Sequence, residues 1–116
     1  MTLSDQIKNQ LINELELSEE EATIFLSLIK FEKTSSTNFK RLVGDKSEQW
    51  KKICRGLEQK GMIIEISKDV FQNLHPRFAV VNRYRRLCEE KNVIFKKNIK
   101  IDNIGILLEG YQNNND

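Results

Sequence analysis

The stretch Ser47-Glu48-Gln49-Trp50-Lys51-Lys52-Ile53-Cys54-Arg55-Gly56-Leu57-Glu58-Gln59-Lys60-Gly61-Met62-Ile63-Ile64-Glu65-Ile66 changes its hydrophobic period at Gly61. Before that glycine, Trp50, Ile53, Cys54 and Leu57 recur at helical spacing. Ser47 can cap the helix, Glu48–Lys60 form it, and Gly61 can end it in a left-handed conformation. After Gly61 the residues are β-branched and short-range, and Ser67-Lys68-Asp69 is turn-like. Val70-Phe71-Gln72-Asn73-Leu74 is again strand-like, so the pattern predicts a β-hairpin, although the glycine usual in a tight hairpin turn is missing.

Upstream, Phe39, Leu42 and Val43 predict a short helix that stops at Gly44, after the polar break Thr34-Ser35-Ser36-Thr37. Two helices separated by Gly44–Ser47 have the layout of a helix-turn-helix. Earlier still, Ser18 with Glu21 is a capping box opening a helix through Ala22, Ile24, Phe25, Leu28 and Ile29. Leu3, Ile7, Leu11, Ile12 and Leu15 mark a further N-terminal helix, with Thr2 or Ser4 as its cap.

Downstream, Pro76 suits a first helical turn. Val80, Val81, Tyr84, Leu87, Cys88, Ile94 and Phe95 then form one helical stripe, and Ile101, Ile104, Leu108 and Tyr111 a second, out of phase with the first. Two helices are expected rather than one, since a single helix would place Lys91, Asn98 and Gly105 along its seam. The fold class expected is mainly α with a small β-hairpin: a winged helix-turn-helix with extra N- and C-terminal helices. Its domain spans residues 1–75, followed by a C-terminal helical dimerisation segment at 76–112 and a disordered tail at 113–116.

The chain has 116 residues, 39% hydrophobic and 31% charged, with a net charge of +2 and a mean hydropathy of −0.53. These values exclude a membrane-embedded or wholly disordered chain. The small net charge conceals segregation: residues 1–45 carry −3, 46–101 carry +8 and 102–116 carry −3. A basic block between acidic ends fits an anionic partner, nucleic acid first, or simply a solvated charged surface. Cys54 and Cys88 have neither zinc nor redox spacing and read as small core residues in a reduced, cytoplasmic protein. His75, the lone histidine, reads as a loop residue or a cap before Pro76. Neither a phosphate loop, a catalytic triad nor a metal cluster is present, so an enzyme, a cofactor and a small-molecule effector are not expected.

Leu17-Ser18-Glu19-Glu20-Glu21-Ala22-Thr23-Ile24-Phe25, the Ser-rich break, and Leu57-Glu58-Gln59-Lys60-Gly61-Met62-Ile63 together resemble the DNA-binding domain of the TrmB-like archaeal transcriptional regulators, across about residues 11–75. The resemblance implies a winged-helix fold and a double-stranded DNA partner. The effector domain of sugar-responsive members has no room here. Trp50 and Lys51 also depart from the aliphatic and aromatic residues the family often carries at those places.

Helix geometry nominates the contacting residues. Advancing about 100° per residue from Trp50 puts Cys54, Leu57 and Ile53 within about 60° of it, and Glu48, Lys52, Arg55 and Gln59 at about 140–200°. The helix at 47–60 is thus expected to present Lys52 and Arg55 to a major groove, flanked by Lys51, with Lys46, Ser47 and Gln49 near its N-terminus. Ser35, Ser36 and Thr37 suit phosphate contacts, and Lys68 at the hairpin tip suits the DNA backbone. The same lysines and arginine on an ordinary wet helix face is the competing reading. Val80, Tyr84, Leu87, Ile94, Ile101 and Leu108 are expected to form a homodimer face, with packing onto Leu3–Leu15 of the same chain as the alternative. A protein-interaction adaptor without direct DNA readout is the second function these features allow.

Overall fold

The first two helices are defined by side chains that close their own N-termini. The computed structural model describes residues 2–30, 47–68 and 70–113. In α1 (Leu3–Leu15), Thr2 is the N-cap: its hydroxyl accepts the Asp5 N–H at 3.1 Å, and Asp5 accepts the Thr2 N–H at 3.4 Å. The chain turns out of α1 at Glu16, in the left-handed region with φ 55°. In α2 (Glu19–Lys30), Ser18 and Glu21 form the expected capping box at 2.9 and 3.0 Å. Three glutamates in that first turn also complement the positive helix end.

Residues 31–46 lie outside the described residues, and with them the predicted helix through Phe39 and Val43, its Gly44 stop, and Ser35, Ser36, Thr37 and Lys46. Helix α3 (Ser47–Gln59) follows. It ends as its sequence predicts: the Gly61 N–H bonds to Glu58 O at 3.0 Å, the Met62 N–H bonds to Leu57 O at 3.1 Å, and Gly61 has φ 85°. This pair of bonds is a Schellman motif, which satisfies carbonyls that α3 would otherwise leave open. Strands β1 (Ile63–Ser67) and β2 (Val70–Asn73) pair antiparallel, with Ile63 opposite Asn73 and Ser67 opposite Val70. The register shifts between Glu65 and Ser67, an irregularity of the β-bulge kind in β1.

Helix α4 (Pro76–Glu90) has His75 as its N-cap, with Nδ1 accepting the Arg77 N–H at 3.3 Å. Helix α5 (Ile99–Asn113) lies against it. The expected stripe through Ile94 and Phe95 is corrected here, because α4 stops three residues short of Val93. Asn92 adopts φ 54°, its N–H bonds to Glu89 O at 3.2 Å, and the Val93 N–H bonds to Cys88 O at 2.8 Å. A Schellman closure with asparagine in the glycine position therefore releases Ile94 and Phe95 from the helix.

One hydrophobic core runs through all of these elements, joining Ile7, Leu11, Phe25, Trp50, Leu57 and Phe71 to Val80, Leu87, Ile101 and Leu108. Each fully buried large side chain contributes about 1.5–3 kcal/mol relative to exposure. The expected boundary at residue 75 thus separates no two cores: α5 packs on α1 and α2, and α4 on α1. The expected dimer face is corrected for the same reason. Val80 and Leu108 are fully buried, and Ile101 and Leu87 nearly so, within the single chain. Tyr84 is half-buried against Phe95, and only Ile94 stands out, 76% exposed. The C-terminal helices found their apolar partner in α1 and in each other. The result is mainly helical, with a small two-stranded antiparallel sheet.

Gly61 is held by both conformation and space. A Cβ there would lie 2.2 Å from Asn82 Nδ2 and 2.9 Å from Arg86 Nε. Gly61→Ala is expected to destabilise the fold by about 1–3 kcal/mol. Gly110→Ala, on α5 where a Cβ meets nothing within 4 Å, should stabilise it by about 0.5–1 kcal/mol. Urea unfolding midpoints of the two variants check the opposite signs.

Candidate nucleic-acid interface

Helix α3 is strongly two-faced. Trp50, Cys54 and Leu57 are buried, and Ile53 is half-buried. The Trp50 ring meets Phe71 of β2 edge-on, with centroids 5.7 Å apart, so the helix is keyed to the hairpin by its inward face. Lys52, Arg55 and Gln59 are exposed on the opposite face, where the helical wheel put them, and Gln49 is exposed on a flank near the helix N-terminus. Lys51 is half-buried on the flank, and Ser47 opens the helix.

The outward residues do not share one environment. Lys52 makes no ion pair among the described residues and projects freely. Arg55 is turned toward the hairpin: its Nη1 lies 3.5 Å from Glu65 Oε1, and its Cζ 5.9 Å from the centre of the Phe71 ring. Glu58, also on α3, accepts the Glu65 N–H at 2.8 Å. Glu58 and Glu65 therefore hold β1 against α3 beside Arg55. Their roles were not readable from the helical wheel, since a wheel says nothing of what packs on the helix. The only sequence signal is the alternation of β1, which puts Glu65 among isoleucines.

Lys68 is exposed at the hairpin end of β1. The structure thus brings α3 and the hairpin together as one surface bearing Gln49, Lys52, Arg55 and Lys68. At its other margin, an open groove of about 330 Å³ separates the N-terminal turns of α2 and α3, lined by Glu19, Glu20, Thr23 and Gln49 over Trp50 and Ile53. Carboxylates at that margin repel phosphate, so an anionic polymer is favoured only from the side of Lys52, Arg55 and the hairpin.

Much of the basic block between residues 46 and 101 serves the fold. Lys60 Nζ lies 2.6 Å from Glu21 Oε2, and Arg77 Nε 2.7 Å from Glu109. Lys91 bonds Glu16, and that contact holds the Glu16 carboxyl below its usual range. Arg83 is buried and donates from Nε to Leu15 O at 3.0 Å, with Glu90 3.7 Å from its Nη1. Burial lowers the Arg83 guanidinium from its ordinary value, opposed by the fields of Glu90, Glu21 and Glu16. Arg86 donates to Gln59 O. These residues are not part of a free cationic surface.

Comparison of the chain with protein-family profiles, curated proteins and solved structures finds no match. Among the described residues no group of three metal-binding side chains comes together, and no helix is long and apolar enough to cross a membrane.

Both cysteines are buried, as small core residues, and desolvation pushes the Cys54 thiol up to about 12. Near pH 8 a disulfide-exchange reagent should label neither thiol in the native protein and both after unfolding in guanidinium. Rapid native labelling of one thiol would show that α3, or α4 in the case of Cys88, is not packed as described.

Proposed function

We propose that this chain is a sequence-specific, double-stranded DNA-binding transcriptional regulator of the winged-helix type, as its resemblance to the TrmB-like regulators implies, acting in the cytoplasm. In this reading α3 is the recognition helix and β1–β2 the wing. The observation that carries it is the outward face of α3. Lys52 and Arg55 stand exposed opposite a buried Trp50, Cys54 and Leu57, with Gln49 exposed near the helix N-terminus and Lys68 on the adjoining hairpin.

A helix presented this way fits the major groove, where Lys52 and Arg55 pair with guanine edges or phosphates and Gln49 with adenine. Lys68 beside it suits the sugar–phosphate backbone. Binding as a homodimer to a palindromic site belongs to the same proposal. Its interface then lies outside Val80, Leu87, Ile101 and Leu108, which the core of each chain already occupies.

The second reading, a winged-helix adaptor that binds protein and not DNA, is favoured by the Arg55–Glu65 pair and by Glu19 and Glu20 beside Gln49. The Lys52→Ala, Arg55→Ala double variant separates the two. It should lose roughly tenfold to a hundredfold in affinity for a selected DNA site, the effect of one or two good base or phosphate contacts. Its melting temperature should fall by only a few degrees, since the partly exposed Arg55–Glu65 pair contributes at most about 1 kcal/mol, and its salt dependence should be shallower than that of the parent protein. Equal affinity of parent and variant across a salt titration overturns the DNA reading. Recovery of one stoichiometric protein partner, with no DNA shift at low salt, establishes the adaptor.

A further inference from the structure

The segment between α4 and α5 is the least covered part of the described chain. Residues 89–97 are all exposed, as are Ile99 and Lys100, and only Asn98 between them is partly covered. Within seven residues the segment exposes four large apolar side chains: Val93 at 57%, Ile94 at 76%, Phe95 at 39% and Ile99 at 71%. The backbone that carries them is held at both ends. The Schellman closure at Asn92 sets its start, and Asn98 Oδ1 accepts the Lys100 N–H at 2.9 Å to set the beginning of α5. Phe95 is anchored against Tyr84, with centroids 5.8 Å apart, and under the Arg85 guanidinium at 5.2 Å. That anchor leaves Ile94 and Ile99 pointing into water.

Charge decides what can cover these side chains. From Lys91 to Ile101 the chain has four lysines and no acid. Lys91 is paired with Glu16, whereas Lys96, Lys97 and Lys100 make no ion pair among the described residues. A second copy set face to face on this loop would bring like charges together, and lysine is depleted from the cores of protein interfaces. A nucleic-acid backbone would satisfy the lysines and leave the isoleucines in water. An anionic bilayer surface satisfies both: apolar side chains enter the boundary between headgroups and acyl chains, and lysine stems extend so that their ammonium groups reach the phosphates.

We propose that the loop Val93–Asn98, together with Ile99 and Lys100, is a docking site for an anionic lipid surface, with Ile94 and Ile99 inserting and Lys96, Lys97 and Lys100 meeting phosphate headgroups. The site lies beyond the C-terminal end of α4. The outward face of α3 is on another element, and this inference stands whether or not that face binds DNA.

Co-sedimentation of the full chain with vesicles tests it. The chain should bind vesicles containing one-third phosphatidylglycerol in phosphatidylcholine, bind phosphatidylcholine alone weakly, and dissociate as salt rises. Lys96→Gln with Lys97→Gln should lower partitioning roughly thirtyfold, as expected for two lysines near an anionic leaflet. Ile94→Glu, at a site open to solvent, should abolish binding with an unchanged melting temperature. Lys52→Ala with Arg55→Ala should leave vesicle binding intact even where DNA binding is lost.

Absence of binding to the anionic vesicles, or equal binding to neutral ones, overturns the proposal. So does a solution mass of two chains that Ile94→Glu reduces to one without any vesicle binding, which would assign the loop to a second copy. A loss of DNA affinity in the Lys96, Lys97 variant without vesicle binding in the parent likewise overturns it in favour of nucleic acid.

Discussion

The arrangement of the helices depends on how α4 closes the open C-terminal ends of α1 and α3. The last carbonyls of any helix lack internal donors and carry partial negative charge. Arg83 donates to Leu15 O at the end of α1, Arg86 donates to Gln59 O at the end of α3, and Asn82 donates to Gly61 O at 2.8 Å just past it. Three residues on one side of α4 thus join two helices that are not adjacent in sequence. The Arg83 guanidinium is buried to do this, a costly placement without partners. The Leu15 carbonyl and the nearby carboxylates of Glu90, Glu16 and Glu21 compensate it.

Glu21 has a comparable part at the same end of α3. Its carboxylate completes the capping box of α2 and also takes Lys60 from the last turn region of α3, with both oxygens within 2.6 Å of the ammonium. A side chain placed for local reasons, three residues after Ser18, becomes the joint between two helices. With the C-terminal end of α3 tied in this way and its first turn keyed by Trp50 to Phe71, the helix has one orientation in the fold. Its outer face is therefore defined well enough to carry a contact surface.

The same network revises the meaning of the segmental charge. The block from 46 to 101 carries +8, but Lys60, Arg77, Arg83, Arg86 and Lys91 are engaged within the fold, and Arg55 shares Glu65. Among the described residues, two groups of lysines remain open: Lys52 and Lys68 near α3 and the hairpin, and Lys96, Lys97 and Lys100 on the loop after α4. Beside the first group Ile64 and Ile66 are about two-fifths exposed, whereas beside the second Ile94 and Ile99 are more than two-thirds exposed. That contrast in company, more than the total charge, separates the two surfaces.

Features that act within a few residues were legible in the sequence. The Ser18–Glu21 and Thr2 caps, the Gly61 stop, the His75 cap and the inward face of α3 follow from relations between residues close in sequence. The hairpin was legible too, apart from the register shift between Glu65 and Ser67. The stripe through Ile94 and Phe95 misled because periodicity continues past the point where Asn92 lets the backbone leave the helix. The stripe through Val80, Leu87, Ile101 and Leu108 identified buried positions correctly but not what buries them.

The chain's own sequence therefore determined its elements, their caps and which side of each helix is apolar, because those properties are local. Only the tertiary structure decided which cations are free and which apolar residues stay exposed. Arg83 meets a carbonyl 68 positions away, and Lys91 a carboxylate 75 positions away. No local pattern encodes pairings over that distance. They arise only when the helices pack.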